Sequence, residues 1–234
     1  MKRVFFLIPH ASGSVRLYQE ALPSLGELVQ LAPLELPGHG RRRGEALYYT
    51  IPEIIADLSS QARHVLGESG QSDYYIFGHS MGALCGFLLA KNLSEESFGP
   101  PKRLFVSSNG TPGWHPIPKG MTELPDLEMW KMSGERFGKL NNQPTPTEEQ
   151  MELFSDIYRA DLIAVQNFHR PEPIWVLSAP ITAIYAESDM VDLELVSAWR
   201  EWTNKALEII KVKGEHFHAL ERPKQLEDIL IARL

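Results

Sequence analysis

The chain has 234 residues, enough for one large domain, and its 43% hydrophobic and 23% charged residues exclude a disordered chain. Its formal net charge of −7 argues against a nucleic-acid partner, because phosphate binding needs a basic surface. The single cysteine, Cys85, cannot form an internal disulfide, which fits a reducing compartment.

Short apolar runs alternate with helical patterns along the chain. The first run, Val4–Ile8, is closed by Pro9 and is typical of a strand buried on both faces. It is too short for the core of a signal peptide, and no stretch approaches the roughly 20 apolar residues of a membrane span. We therefore expect a soluble, cytoplasmic protein. Further strands are predicted at 28–38, 73–78, 103–108, 180–186 and 206–212, and helices after Thr50, at 80–93, around 194–202 and at 223–233.

This alternation predicts an α/β fold with a mostly parallel central sheet, helices on both faces and a single domain over residues 1–234. The stretch 109–179 breaks the rhythm, because it contains many prolines and no convincing strand. Thr147 and Gln150 have the spacing of a capping box. The helix that follows presents one apolar face, formed by Met151, Phe154, Ile157, Tyr158, Leu162 and Val165. A helical lid insertion at about 112–172 is one interpretation, and an additional packing layer without a gating role is the other.

The sequence Gly78-His-Ser-Met-Gly82 places a serine between two glycines. This motif indicates a nucleophile elbow only when a strand precedes it and a helix follows, and both patterns are present here. At such an elbow the serine backbone is strained, and small neighbours let the strand and the helix approach each other. We therefore predict that Ser80 is a nucleophile; a structural turn is the alternative.

A serine hydroxyl needs a base, and the base needs a carboxylate that orients it. In this fold the acid and then the histidine follow the serine along the chain, on loops after later strands. His216, just past the last predicted strand, is the predicted base, and His218 in the same loop is the alternative. Asp189 is the predicted acid. Asp192 is the alternative acid, but it is equally suited to cap the next helix.

Two backbone N–H groups are needed to stabilise a tetrahedral oxyanion. One is expected from Met81, the residue after the nucleophile. The other is expected from the loop after the first strand, Pro9–Gly13, where we predict the amide of Ala11. A plain turn is the alternative role of Ser12 and Gly13.

The one dense basic run is Arg41–Arg43. A solvated loop is the simpler interpretation of this run. Docking of an acidic protein partner is the alternative, because an acidic chain must use local patches for such docking.

Six segments, spread over nearly the full length, carry a resemblance to a known family: FFLIPHASGS, ELPGHGRR, FGHSMGA, IYRADLIAVQNF, YAESDMV and GEHFHAL. Together they resemble the type II thioesterases, the free-standing editing enzymes of nonribosomal peptide and polyketide synthases. These enzymes belong to the α/β-hydrolase superfamily, alongside the medium-chain thioesterase of animal fatty-acid synthesis.

The resemblance implies a catalytic triad of Ser80, Asp189 and His216, with oxyanion donors at Ala11 and Met81. It implies that the substrates are acyl thioesters on the phosphopantetheine arm of carrier protein domains, with no metal or organic cofactor. We expect the enzyme to act as a monomer. The alternatives are a carboxylesterase or lipase that acts on oxygen esters, which uses the same triad, and a non-catalytic α/β-hydrolase that serves as a binding module.

The chain departs from the family pattern in the first loop. The family usually has two glycines after the His-Ala pair, whereas this chain has Ser12 and Gly13.

Overall fold

The computed structural model describes residues 3–69, 73–138 and 147–234. Within these residues, six parallel strands form one sheet in the order β2-β1-β3-β4-β5-β6. The strands are β1 (Val4–Ile8), β2 (Gln30–Pro33), β3 (Tyr74–His79), β4 (Arg103–Ser107), β5 (Ile181–Ala186) and β6 (Leu207–Val212). The predicted fold class, a mostly parallel sheet in an α/β chain, is confirmed.

The inner strands are apolar because helices cover both faces of the sheet. Every residue of β1, β3 and β5 is buried, whereas the edge strands β2 and β6 are partly exposed. The helices are α1 (Val15–Ala21), α2 (Pro23–Leu28), α3 (Ile51–Ser69), α4 (Met81–Glu95), α5 (Asp126–Phe137), α6 (Glu148–Gln166), α7 (Leu193–Ser197), α8 (His218–Glu221) and α9 (Pro223–Ile231). Helices α3 and α4 pack on one face of the sheet, and α1, α2, α8 and α9 pack on the other. No helix of the described ranges is long and apolar enough to cross a membrane.

Several elements differ from the sequence prediction. Helices α1 and α2 were not predicted, and they are short segments whose buried residues pack under the sheet. Strand β2 covers only Gln30–Pro33 of the predicted 28–38, because it pairs with β1 alone. The helix predicted around 194–202 changes after Ser197 into a 3₁₀ turn. This turn places Trp199 and Trp202, three residues apart, on one side, where both contact the ring of Phe87.

The insertion between β4 and β5 contains α5 and α6, and the predicted capping box of Thr147 and Gln150 is present. The apolar face of α6 is buried from Ile157 onward. Phe154 departs from the prediction: it is 37% exposed, and the guanidinium of Arg43 lies 5.8 Å from its ring centroid. The first turns of α6 are mostly exposed, so the predicted apolar face is not buried there. The lid role of the insertion stays a prediction.

A buried ion pair joins α6 to the rest of the chain. Asp161 Oδ2 lies 2.9 Å from His39 Nε2 and accepts a hydrogen bond of 2.7 Å from the backbone N–H of Ser12. The other ring nitrogen of His39 lies 2.9 Å from the carbonyl oxygen of Pro37. Because a carbonyl and a carboxylate can only accept, both ring nitrogens donate and His39 is an imidazolium.

The surroundings of His39 support this protonation state. Its burial lowers the pKa, but the charge and hydrogen bond of Asp161, the Pro37 carbonyl and the charge of Glu35 raise it above the ordinary value of 6.5. The side chains of His39 and Asp161 are only 2% and 3% exposed, so solvent screens the pair weakly. The insertion is therefore attached to the loop after β2 by an ion pair and to the loop after β1 by a hydrogen bond.

Replacement of His39 by Gln should destabilise the fold in a pH-dependent way. Loss of one partner leaves a buried unpaired charge, which costs about 3–5 kcal/mol. Because the pKa of His39 is raised in the folded state, its contribution is complete below about 6.5 and is lost as the pH rises through the folded pKa. The difference in urea unfolding free energy between wild type and His39→Gln should therefore be larger at pH 6 than at pH 9.

Arg16→Gln, which breaks an exposed ion pair with Glu20, is the control and should change stability little at either pH. Equal losses for His39→Gln at both pH values would contradict a charged His39.

Candidate active site

Ser80 lies in a sharp turn between β3 and α4 and has φ 53° and ψ −121°, a strained conformation for a residue with a side chain. A Cβ atom at Gly78 would lie 1.9 Å from the carbonyl oxygen of Gly82. A Cβ atom at Gly82 would lie 2.4 Å from the carbonyl oxygens of Ile8 and Pro9. Both glycines are therefore required by close backbone contacts, and the turn has the geometry of the predicted elbow.

The structure brings the three side chains of the predicted triad together. His216 Nε2 lies 3.0 Å from Ser80 Oγ, and His216 Nδ1 lies 3.0 Å from Asp189 Oδ1. The side chains of His216 and Asp189 are 4% and 0% exposed. A nucleophile, a base and an orienting carboxylate thus form one hydrogen-bonded chain that can transfer a proton from the serine hydroxyl.

Asp189 stays ionised although it is buried. Burial alone raises the pKa of its carboxyl group, but the hydrogen bond and charge of His216, the Ser108 hydroxyl and the Val191 amide lower the pKa below its ordinary value. An ionised carboxylate at this position favours the Nδ1–H tautomer of His216, which leaves Nε2 free to accept the proton of Ser80.

The alternative acid and base have other contacts. Asp192 Oδ1 accepts a hydrogen bond of 3.0 Å from the backbone N–H of Leu195 and so caps α7. His218 Nε2 lies 3.1 Å from Ser107 Oγ. Burial lowers the pKa of His218 to about 4, with opposing effects from the charges of Asp189 and His216, so its ring is neutral.

The predicted oxyanion donors, Ala11 and Met81, both line the pocket that contains Ser80 and His216. Within the part of the chain that the structure describes, neither backbone N–H donates a hydrogen bond. Met81 is also the first residue of α4, where the helix dipole favours negative charge. Both amides are therefore free to donate to an oxyanion.

Ser12 adopts the conformation that glycine would favour. Its φ is 59°, in the left-handed region, and its N–H is held by Asp161. Gly13 is needed for a different reason, because a Cβ atom there would lie 2.8 Å from the ring of His10. The departure of this loop from the family pattern is thus accommodated by a hydrogen bond from α6.

Two other features were not found from the sequence. The role of Asp161, which holds the loop that carries Ala11, was not predicted. A signal for it existed, because an aspartate within the apolar stripe of α6 indicates a buried partner. The serines at the end of β4, Ser107 and Ser108, contact the histidine loop, and nothing in their local sequence indicates this.

The pocket has mostly apolar walls and is closed on one side by the insertion. Helix α4, the segment after β4 and helices α5 and α6 supply the walls, and Phe217 comes from the histidine loop. The apolar lining residues are Met81, Leu84, Trp114, Pro116, Ile117, Phe137, Tyr158, Leu162, Val165 and Phe217. Such a lining suits the acyl part of an ester or thioester.

Comparisons with known proteins identify the family. The family model described as thioesterase domain matches residues 3–234. The human medium-chain S-acyl fatty acid synthase thioesterase is 30% identical over 201 residues, which cover 83% of this chain and 72% of that protein.

Two solved structures are similar over nearly the whole chain. The RedJ thioesterase from the prodiginine pathway of Streptomyces coelicolor is 28% identical with a TM-score of 0.85, covering 99% of this chain and 85% of its own. The type II thioesterase BorB from the borrelidin biosynthetic cluster is 26% identical with a TM-score of 0.82, covering 100% of this chain and 93% of its own. With its α/β-hydrolase fold and a family match from residue 3 to residue 234, the chain belongs to the thioesterase domain family.

Proposed function

We propose that this thioesterase hydrolyses acyl groups from the phosphopantetheine thiol of carrier protein domains, and so removes stalled or mis-primed groups in nonribosomal peptide or polyketide synthesis. The observation that carries the proposal is the Ser80–His216–Asp189 chain at the wall of an apolar pocket, in a member of the thioesterase family. The similar proteins RedJ and BorB, which come from a biosynthetic pathway and a biosynthetic cluster, support the assignment to secondary metabolism.

In the proposed mechanism, Ser80 Oγ attacks the thioester carbonyl while His216 Nε2 takes the hydroxyl proton. The Asp189 carboxylate stabilises the resulting imidazolium. The amides of Ala11 and Met81 donate to the oxyanion of the tetrahedral intermediate. Collapse of this intermediate releases the pantetheine thiol, which takes the proton from His216, and leaves an acyl-serine.

Water completes the reaction. His216 takes a proton from the water as it attacks the acyl-serine, a second tetrahedral intermediate forms, and its collapse returns the proton to Ser80 Oγ. The leaving group of the first step is a thiol with a pKa near that of free cysteine, ~8.5, and it departs far more readily than an alkoxide. These steps use side chains, backbone amides and water, and no metal or organic cofactor enters them.

The basic run Arg41–Arg43 offers a carrier protein fewer exposed arginines than its sequence indicated. Arg42 is bound within the fold, since its guanidinium donates to Asp57 and Glu45 and to the backbone carbonyl of Glu35. Arg41 and Arg43 are exposed. We propose that these two exposed positive charges attract the acidic surface of a carrier. They follow His39, which Asp161 joins to the loop that contains Ser12.

Ser80→Ala should remove hydrolysis of acyl-carrier thioesters, with a loss in kcat of roughly 10⁴–10⁶-fold, because no other group supplies the nucleophile. The measurement is intact-mass analysis of carrier proteins loaded with a panel of acyl groups, with and without enzyme. Cys85→Ala is the control and should keep activity, because the thiol is fully buried and burial raises its pKa.

The same enzyme should hydrolyse acyl-carrier thioesters with a higher kcat/KM than p-nitrophenyl esters of the same acyl group. A strong preference for the oxygen ester would overturn the proposed substrate class in favour of an esterase.

Arg41→Glu with Arg43→Glu should raise KM for an acyl-carrier substrate, by about tenfold at low salt, and leave KM for a small acyl thioester unchanged. The matched control is Lys205→Glu with Lys211→Glu, which makes the same charge change beside and on β6, at the opposite edge of the sheet. Equal effects of the two double variants, or equal effects on both substrates, would refute docking at the arginines.

A further inference from the structure

Two consecutive serines, Ser107 and Ser108, lie between the loops that carry the nucleophile and the acid. Strand β4 is paired with β3, which leads into Ser80, and with β5, which leads toward Asp189. In this register His79 is opposite Ser107, and Ser107 is opposite Ile184. Both serines are fully buried. A buried hydroxyl is unfavourable unless it is hydrogen-bonded, so its partners indicate its role.

The backbone of this pair is bonded to both neighbouring strands. The N–H of Ser80 donates to the carbonyl of Ser107 at 2.8 Å, and the N–H of Ser108 donates to the carbonyl of Ile184 at 2.9 Å. The position of the nucleophile's own peptide group is therefore tied to the end of β4.

The side chain of Ser107 connects the nucleophile turn to the histidine loop. Its Oγ lies 3.0 Å from His79 Nδ1 and 3.1 Å from His218 Nε2. His79 precedes Ser80, and His218 follows His216 by two residues. Burial keeps both rings neutral, with the pKa of His79 far below its ordinary value and that of His218 near 4. Each ring thus has one N–H, and the Ser107 hydroxyl can donate to one ring and accept from the other.

The side chain of Ser108 contacts the histidine itself. Its hydroxyl donates to the backbone carbonyl of His216 at 3.2 Å, and its proximity also lowers the pKa of Asp189. Asp189 Oδ2 is buried and has no hydrogen-bond partner within the described ranges.

The conformation of Ser108 indicates that its placement is specific. Its φ is 51°, in the left-handed region that favours glycine. Among the described non-glycine residues, only Ser12, Ser80 and Ser108 have positive φ, and all three follow strands at the edge of the sheet where the site lies. A glycine at position 108 would adopt this φ without strain. The serine side chain therefore has a conformational cost in the folded protein.

From these contacts we propose that Ser107 and Ser108 are positioning residues for the hydrolysis reaction, Ser107 through His218 and Ser108 through the carbonyl of His216. They hold the imidazole at hydrogen-bond distance from Ser80 and Asp189 at the same time. This inference rests on the proposed roles of Ser80, His216 and Asp189.

The decisive comparison is between Ser108→Ala and Ser108→Gly. Both remove the hydroxyl, but glycine also removes the strain of a positive φ, so Ser108→Gly should fold at least as stably as Ser108→Ala. We expect both to lower kcat for a small acyl thioester by about 10–100-fold with KM unchanged, because misplacement of a catalytic group slows the chemical step. Wild-type kcat in the glycine variant would overturn the role of the Ser108 hydroxyl.

Ser107→Ala tests the positioning role of Ser107 and should also lower kcat without changing KM. Ser59→Ala is the matched control, because Ser59 is equally buried and accepts a hydrogen bond from Asn92 away from the site. Its kcat should stay at the wild-type value, and a Ser107→Ala kcat equal to that of Ser59→Ala would overturn the role of Ser107.

A spectroscopic readout separates positioning from general stability. The low-field proton NMR signal of His216 Nδ1–H reports its hydrogen bond to Asp189. It should shift or broaden in Ser108→Gly and remain in Ser59→Ala; an unchanged signal in Ser108→Gly would contradict the proposal.

The Ser80→Ala variant distinguishes a failure of the proposed mechanism from a failure of the positioning role. Retained hydrolysis in Ser80→Ala would refute the proposed mechanism itself. Lost hydrolysis in Ser80→Ala, together with wild-type kcat in the Ser107 and Ser108 variants, would refute only the positioning role.

Discussion

The close approach of the β3–α4 turn to the end of β1 is the constraint on which the site depends. With a Cβ atom, Gly82 would overlap the carbonyls of Ile8 and Pro9, and Gly78 would overlap Gly82 itself. This contact fixes two parts of the site at once, because it places Ser80 at the turn and brings the loop after β1, with Ala11, against the first turn of α4. The predicted nucleophile and the predicted oxyanion donors are therefore positioned by backbone packing rather than by side-chain contacts.

The distribution of charge around this turn follows from burial. Among the residues that the structure describes, His10, His79 and His218 are buried rings without a carboxylate in direct contact, and burial lowers the pKa of each. His216 and His39 each contact an aspartate, at 3.0 Å and 2.9 Å. The interior can thus compensate a positive charge in two places: at His216, where the proposed reaction needs a transient imidazolium, and at His39, where the charge joins α6 to the body of the fold.

The insertion contributes to the site in two ways, through the pocket wall and through the loop after β1. Helix α6 supplies Tyr158, Leu162 and Val165 to the pocket wall, and from the same helix Asp161 holds the N–H of Ser12. The pocket wall and the loop that carries Ala11 are consequently joined through one helix. A displacement of α6 would change the pocket and the oxyanion loop together.

Much of the fold and the central site was predictable from the sequence, for local reasons. A strand buried on both faces is a continuous apolar run, so β1, β3, β4, β5 and β6 were recognisable within one or two residues. The motif at Gly78–Gly82 was recognisable from the strand pattern before it and the helix pattern after it. The acid and the histidine were expected on later loops, because loops after parallel strands meet at one edge of the sheet. The short helices α1 and α2 were not predictable, because helices of this length depend on tertiary packing rather than on their own periodicity.

The sequence by itself determined the strand–turn–helix around Ser80 and the candidates for its partners, since these depend on apolar patterns and on backbone sterics within a few residues. Only the tertiary structure shows that His216 rather than His218 contacts Ser80, and that Asp189 rather than Asp192 contacts His216, because only side-chain distances distinguish neighbours in one loop. It alone revealed the pairing of His39 with Asp161, 122 residues apart, and of Ser107 with His218, 111 residues apart. Such contacts leave no local pattern, because the need to satisfy a buried polar group is met by whichever part of the chain the sheet brings near it.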